Sequence, residues 1–415
     1  MRVLSLSPTP LWDVEDQKGM PSLFLGQKAF VEAGHGAIFA YGGKVDRNYD
    51  YHGITMVELR IPHFEISSER IWLHRLAEKL FWVFFLIFGF FKGYALCRKH
   101  RPDVVYGHFY YGAPVAWLLG KIWRIPNITR MYGTFLFPAL GSFWRKARKL
   151  DEVLAFKIPC AYFIMTDDGT RGDDCARTFG VPEAKLKFWR NGVNKDIYDP
   201  NVDIMALKAS LSIPENHLLI VAVCRLSLWK GVHRLIEALP GVLRETPNVT
   251  TVIVGDGEER GNLENLCRQL NVEKNVHFLG MILHDEVPKF LNSADIFVSL
   301  YDYSNVGNPL LEAMCCGKCI VTLDVGATGR LIQDGKNGVL LNMEDLPRLS
   351  TVLGSLIKDE TRRTSLGKAA RRYAEMNFWS WSERVKAEVS LIEELVKNGK
   401  ARRSLEAVSA KGMNP

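Results

Sequence analysis

The chain has little of what would mark it for export, metal chemistry or nucleic-acid binding. Only eight of its 415 residues are cysteine (Cys97, Cys160, Cys175, Cys224, Cys267, Cys315, Cys316, Cys319). They are scattered through apolar or helical contexts, which fits reduced thiols rather than a disulfide framework. Cys316 and Cys319 have C-x-x-C spacing, but with no second pair and no neighbouring His cluster the structural reading is preferred to a zinc or redox site. No metal and no cofactor are expected. No signal peptide precedes Val3-Leu4-Ser5-Leu6-Ser7, which reads directly as a strand, so a cytoplasmic location is expected. A nucleic-acid module is missing, and so is an internal sequence repeat.

Long uncharged apolar runs are also missing. The most apolar stretch, Leu80–Phe91, would form a helix about 18 Å long against about 30 Å of membrane hydrocarbon. Extending it to Cys97 takes in Lys92. Three readings stay open: a membrane span, a buried crossover helix, or a helix partly exposed and dipping into a membrane surface. The flanking segments Arg98-Lys99-His100-Arg101 and Phe143-Trp144-Arg145-Lys146-Ala147-Arg148-Lys149 mix basic residues with aromatics. That mixture suits peripheral contact of 80–101 and 143–149 with an anionic leaflet; the plain alternative is a solvated helix face.

The composition is that of an ordinary globular protein, 47% hydrophobic and 24% charged, and the length suits two domains of roughly 150–200 residues each. The formal net charge is +7, and its placement is uneven. Residues 51–150 hold 15 Lys/Arg against 5 Asp/Glu, whereas residues 201–415 hold 26 of each. A basic excess confined to one segment points to an anionic surface or substrate.

Short apolar strands alternate with helical stretches through both halves. The first half reads as strands at 3–7, 37–40, 54–59, 104–106, 127–131 and 161–165, with helices at 21–32, 71–97, 115–123 and 145–157. The second half repeats the pattern, with strands at 219–223, 251–254, 277–279, 296–299, 319–322 and 338–341. Alternation of this kind predicts parallel sheets covered by helices on both faces. The expected division is 1–200, 201–375, a helix over 376–400 returning to the first domain, and a disordered tail over 401–415.

Chemistry concentrates in residues 219–342. Arg225 and Lys230 follow an apolar strand in Cys224-Arg225-Leu226-Ser227-Leu228-Trp229-Lys230-Gly231. Val254-Gly255-Asp256-Gly257-Glu258 is a strand running into a glycine turn, and Gly280-Met281 follows the strand at 277–279. Ser304-Asn305-Val306-Gly307-Asn308-Pro309-Leu310-Leu311-Glu312 opens a helix. Two cations, a glycine loop entering a helix and a carboxylate one turn in make a site for a sugar nucleotide. A guanidinium and an ammonium can hold the diphosphate, helix amides add to the grip, and the carboxylate can accept from two ribose hydroxyls. Each part has a plain alternative: surface charges at a strand end, a turn glycine, an exposed helix glutamate.

Over these residues the chain resembles glycosyltransferase family 4, and further matches are Arg101-Pro102-Asp103-Val104-Val105, Asn191-Gly192-Val193 and Phe278-Leu279-Gly280. The resemblance implies an α/β GT-B fold: two facing Rossmann-like domains with a central cleft. It implies that Arg225 and Lys230 grip the diphosphate of a nucleotide-sugar donor and that Glu312 binds its ribose. It also implies hexose transfer with retention of configuration, to a glycan acceptor that could be lipid-linked. Gly255, Gly280, Met281, Gly307 and Asn308 complete the expected donor site.

Departures from the family pattern touch the sugar side. The first glutamate of the family's Glu-x7-Glu motif falls on Ser304, with Asp302 two residues away as a substitute. The family's histidine in the first domain falls on Tyr132, with His108 as a second polar candidate facing the cleft. Its paired glycines near the start are reduced to Gly19. These losses keep open a degenerate sugar-nucleotide-binding subunit that regulates or scaffolds a partner, and a sugar-nucleotide epimerase of the same fold.

Overall fold

The structure, a computed structural model, describes residues 1–11, 21–62 and 71–411. The chain divides into two compact units. The first contains 1–167, 171–190 and the chain from Ser382 onward; the second contains Asp168–Thr170 and Asn191–Trp381.

The first unit is built on eight strands: β1 (Arg2–Ser7), β2 (Gly36–Gly43), β3 (Arg47–Tyr51), β4 (Ile54–Arg60), β5 (Val104–His108), β6 (Asn127–Met131), β7 (Tyr162–Thr166) and β8 (Leu186–Trp189). They lie in the order β3-β4-β2-β1-β5-β6-β7-β8. All pairings are parallel except β3 with β4. Alternation along the strands sorts side chains to two faces. Val3, Phe39, Met56, Val104 and Tyr106 join one core, and Leu4, Leu6, Ile38, Val57 and Val105 join the other. The second core is covered by Ile71–His100 and Phe109–Trp123, through Phe85, Cys97, Ala116 and Leu119. The first is covered by Pro21–Glu32 and by the last helix, Trp381–Lys411, whose Val389, Ile392 and Val396 are buried there. Each buried aliphatic side chain of this size contributes about 1.5–3 kcal/mol.

The second unit carries β9 (Leu218–Val223), β10 (Val249–Val254), β11 (Val276–Gly280), β12 (Ile296–Ser299), β13 (Cys319–Leu323) and β14 (Val339–Leu341). All are parallel, in the order β11-β10-β9-β12-β13-β14. Renumbered within the unit this is 3-2-1-4-5-6, the dinucleotide-binding order, whose direction reverses between β9 and β12. Val221 and Phe297 face one core, and Ile220, Ile296 and Val298 face the other.

Several expectations need correction. The domain boundary falls at 190/191 rather than 200/201. Val193 is buried in the second unit, its N–H donates to the Trp379 carbonyl, and Gly192 lies so close to the Trp381 backbone that a Cβ would be 2.5 Å from its Cα. Residues 376–381 also stay in the second unit, and the backbone is helical to Lys411 rather than disordered from 401. The helix expected over 145–157 is two, Phe143–Arg148 and Leu150–Lys157, with Lys149 between them outside helical geometry (φ −116°, ψ 33°).

Ile71–His100 is neither wholly buried nor placed as a span. By length and composition its Lys79–His100 part could cross a membrane. However, it connects β4 and β5 of one sheet and buries Ala77, Phe85, Gly93 and Cys97. Leu76, Leu80, Val83, Ile87, Phe91 and Tyr94 form an exposed stripe at spacings of three or four, one face of a helix.

Candidate donor-binding site

The candidate residues of the second unit gather where a doubly wound sheet binds ligands, at the C-terminal strand ends beside the switch point. In-register pairing of Val223 with Val254 and of Val221 with Phe297 brings the loops after β9, β10 and β12 to one edge. The loop after β9 carries Arg225 and Lys230, and the loop after β12 carries Asp302, Ser304 and Gly307 before the helix Asn308–Cys315.

Lys230 ends a short turn, Leu228–Lys230. Its Nζ lies 3.9 Å from the ring centroid of Trp229 and 3.8 Å from that of Tyr301, and it is mostly removed from water. Desolvation lowers its pKa from the ordinary 10.5 to about 8, partly offset by the charge of Asp168. Such an ammonium has lost much of its hydration and attracts an anion strongly. Arg225 sits differently: its side chain is 75% exposed and its guanidinium pairs with Glu258 at 3.1 Å. An exposed pair of this kind is worth about 0–1 kcal/mol and is easily exchanged for a phosphate.

Gly255 and Gly257 have structural explanations. Gly255 has φ +126°, and a Cβ there would lie 1.9 Å from the Cys224 carbonyl oxygen; at Gly257 it would lie 2.3 Å from that of Leu226. The glycines let the β10 loop pass against the β9 loop. Gly280, φ +71°, accepts from the Gly255 N–H, and Met281 is exposed. A Cβ added at Gly307 would meet only the Pro309 Cδ, at an ordinary contact distance of 3.8 Å, so packing within the chain does not by itself require a glycine there.

The helix start offers fewer donors than expected. Pro309 has no N–H, and the amides of Leu310 and Leu311 return to the Gly307 carbonyl. Asn308 contributes the first-turn amide, and its Oδ1 accepts from Asn191 Nδ2 at 3.1 Å. Glu312 is buried, with Oε1 3.3 Å from His284 Nε2. The hydrogen bond to Glu312 raises the His284 pKa against desolvation. Asp302, expected to replace the missing carboxylate, is bound to Arg234, which also donates to the Leu300 carbonyl. Ser304 donates to the Asp168 carbonyl at 2.6 Å and accepts from the Val306 N–H at 3.0 Å.

In the first unit His108 and Tyr132 do come together. The Tyr132 hydroxyl is 2.9 Å from His108 Nδ1. Burial holds the imidazole pKa down to about 3 and pushes the phenol up, so the phenol donates to a neutral ring. His108 is 1% exposed, which corrects its expected position facing a cleft; its Nε2 has no hydrogen-bond partner. Arg130 lies over the Tyr132 ring at 4.3 Å and faces Glu388, which also pairs with Arg384. Gly19 lies outside the described residues. His284, Arg234 and Tyr301 carried no signal in the sequence, because each acquires its role from a contact distant along the chain.

Residues 203–373 match the family model of glycosyl transferases group 1. An uncharacterised glycosyltransferase of Methanocaldococcus jannaschii is 29% identical over 265 residues, 63% of this chain and 67% of that protein. A GDP-mannose-dependent alpha-(1-6)-phosphatidylinositol monomannoside mannosyltransferase of Mycolicibacterium smegmatis is 31% identical over 216 residues, 50% of this chain and 56% of that one. Among solved structures, Anabaena HepE in complex with UDP and glucose superposes with a TM-score of 0.70 at 21% identity, covering 95% of this chain and 100% of that one. The fold is GT-B, with two parallel-sheet α/β domains. The protein is an enzyme of the glycosyltransferase class.

Proposed function

We propose that this protein is a retaining, family 4 type hexosyltransferase that moves a hexose from a nucleotide sugar to a lipid-linked glycan acceptor. The observation that carries the reading is Lys230, a largely desolvated ammonium between Trp229 and Tyr301 at the switch point of a dinucleotide-type sheet. Departure of the nucleoside diphosphate breaks the bond between the sugar's anomeric carbon and a phosphate oxygen, which gains negative charge. Lys230 neutralises that charge, Arg225 joins it by exchanging Glu258 for phosphate, and the Asn308 amide adds one donor. Glu312 accepts from the ribose hydroxyls once these displace His284. The acceptor hydroxyl attacks from the face the diphosphate leaves, and its proton passes to the departing phosphate oxygen. No side-chain base and no metal is needed for that step.

The acceptor side rests on the first unit's surface. The exposed stripe of Ile71–His100, with Phe143 and Trp144 exposed beside Arg145, Lys146, Arg148 and Lys149, suits an anionic leaflet. Each basic residue near such a surface contributes about 1 kcal/mol. The protein would then work peripherally on the cytosolic membrane face.

A thermal-shift screen of UDP, GDP, ADP and dTDP, followed by their sugars, identifies the donor. Arg225→Ala and Lys230→Ala are each expected to cut transfer by orders of magnitude while the fold survives; wild-type transfer by both overturns the reading. Diphosphate binding without transfer to any of a broad acceptor panel would favour a regulatory binding subunit. Conversion of the donor to an isomer without acceptor would favour an epimerase.

A further inference from the structure

The second unit contains a three-residue piece of chain from elsewhere in the sequence, Asp168-Gly169-Thr170. It is fastened to that unit through the first two of its residues. The Asp168 carbonyl accepts from Ser304 Oγ at 2.6 Å, and the Gly169 carbonyl accepts from the Ala327 N–H at 2.7 Å. Gly169 has φ +77°, and a Cβ there would lie 2.1 Å from Ser304 Oγ and 2.7 Å from Val306, so the backbone is pressed against the loop that leads to Gly307. Thr170 fixes the side chain of Asp168, donating from N at 3.1 Å and from Oγ1 at 2.6 Å to the same carboxylate oxygen, Oδ1.

The result is a carboxylate of fixed orientation next to Ser304 and close enough to Lys230 for its charge to act on the ammonium. A carboxylate repels a diphosphate but accepts hydrogen bonds from vicinal hydroxyls. Next to a phosphate-binding ammonium, it therefore suits the polyhydroxylated part of a donor.

We infer that Asp168 contacts the hexose of the donor, hydrogen-bonding its hydroxyls while Lys230 holds the adjoining phosphate. The inference rests on the nucleotide-sugar reading above. Ser304 is then a positioning residue, acting through the Asp168 backbone.

The test uses the full chain and the diphosphate identified by the screen, alone and carrying its sugar. Asp168→Asn should leave the affinity for the diphosphate alone within about twofold and lower kcat/KM for the nucleotide sugar roughly 10- to 100-fold, as expected for losing a hydrogen bond to a charged group. Ser304→Ala should give a smaller loss in the same parameter. Retained thermal stability and diphosphate affinity report that both variants fold. Equal weakening of diphosphate and nucleotide sugar in Asp168→Asn overturns the inference, since Asp168 would then act only through Lys230. Unchanged kcat/KM in Asp168→Asn, or a loss confined to Asp302→Asn, overturns it as well. Failure of the wild-type protein to bind any diphosphate would instead refute the nucleotide-sugar reading.

Discussion

Replacing Lys230 with methionine should separate folding from binding. The native ammonium has a pKa of about 8 against the ordinary 10.5, which amounts to about 3 kcal/mol of penalty on the charged form. The unfolded chain binds this proton more tightly. The penalty is therefore fully present below pH 8, shrinks as pH rises to 10.5 and is absent above. Contacts with Trp229 and Tyr301 return about 0.5–2 kcal/mol of it. Methionine keeps most of the apolar contact and removes the charge. Below pH 8 the variant should unfold at higher denaturant concentration, by about 1–2 kcal/mol, and the advantage should fade towards pH 10.5. Diphosphate binding should weaken about 100-fold, the loss expected of a charged hydrogen bond at a largely desolvated site. A bound diphosphate also raises the Lys230 pKa, so at pH 8, where about half the protein carries the proton, binding should take up about half a proton. Calorimetry in two buffers of different ionisation enthalpy reads that uptake, and the methionine variant should lose it. Wild-type binding with no buffer dependence, together with variant affinity within threefold of wild type, would refute the reasoning.

Three further outcomes follow from the same geometry. His284 has a raised pKa through Glu312, so their pairing is strongest below 6.5 and is lost as pH rises through the folded value; donor affinity should increase over that rise, and His284→Ala should flatten the profile in a fluorescence titration. Gly255→Ala should cost on the order of 3 kcal/mol or more, because φ +126° and the Cys224 carbonyl leave no room for a methyl group; an unchanged unfolding midpoint would contradict this. Val83→Asp combined with Phe91→Asp removes two members of the exposed stripe and should abolish co-sedimentation with anionic vesicles while leaving diphosphate affinity unchanged.

Most of the parallel strands were legible because burial on both faces makes them short continuous apolar runs, as in Leu218–Val223 and Ile296–Ser299, whereas Leu186–Trp189, with its lysine and partly exposed residues, was not. The strand Arg47–Tyr51 was not: Arg-Asn-Tyr-Asp-Tyr is polar and mostly exposed at the sheet edge, and only its pairing with β4 makes it a strand. The candidate site divides the same way. Arg225, Lys230, Gly307 and Glu312 stand in local motifs beside strand ends and could be picked out by spacing. Arg234 reaches Asp302 across 68 positions and Ser304 reaches Asp168 across 136, contacts that no local pattern encodes. Thus the sequence suggested Asp302 as the substitute carboxylate, but a guanidinium one helix away occupies it.

The last helix has a consequence for biosynthesis. Its Val389, Ile392 and Val396 close a core begun by Val3, and His35 bonds Glu393 at 2.7 Å, so the first unit lacks one wall until the end of the chain is made. At about 5–20 residues per second, the stretch from Arg190 to Ser382 takes on the order of 10–40 s to synthesise. During that interval the nascent amino-terminal sheet leaves the ribosome with an apolar flank uncovered, and premature termination anywhere before residue 382 leaves it without that wall.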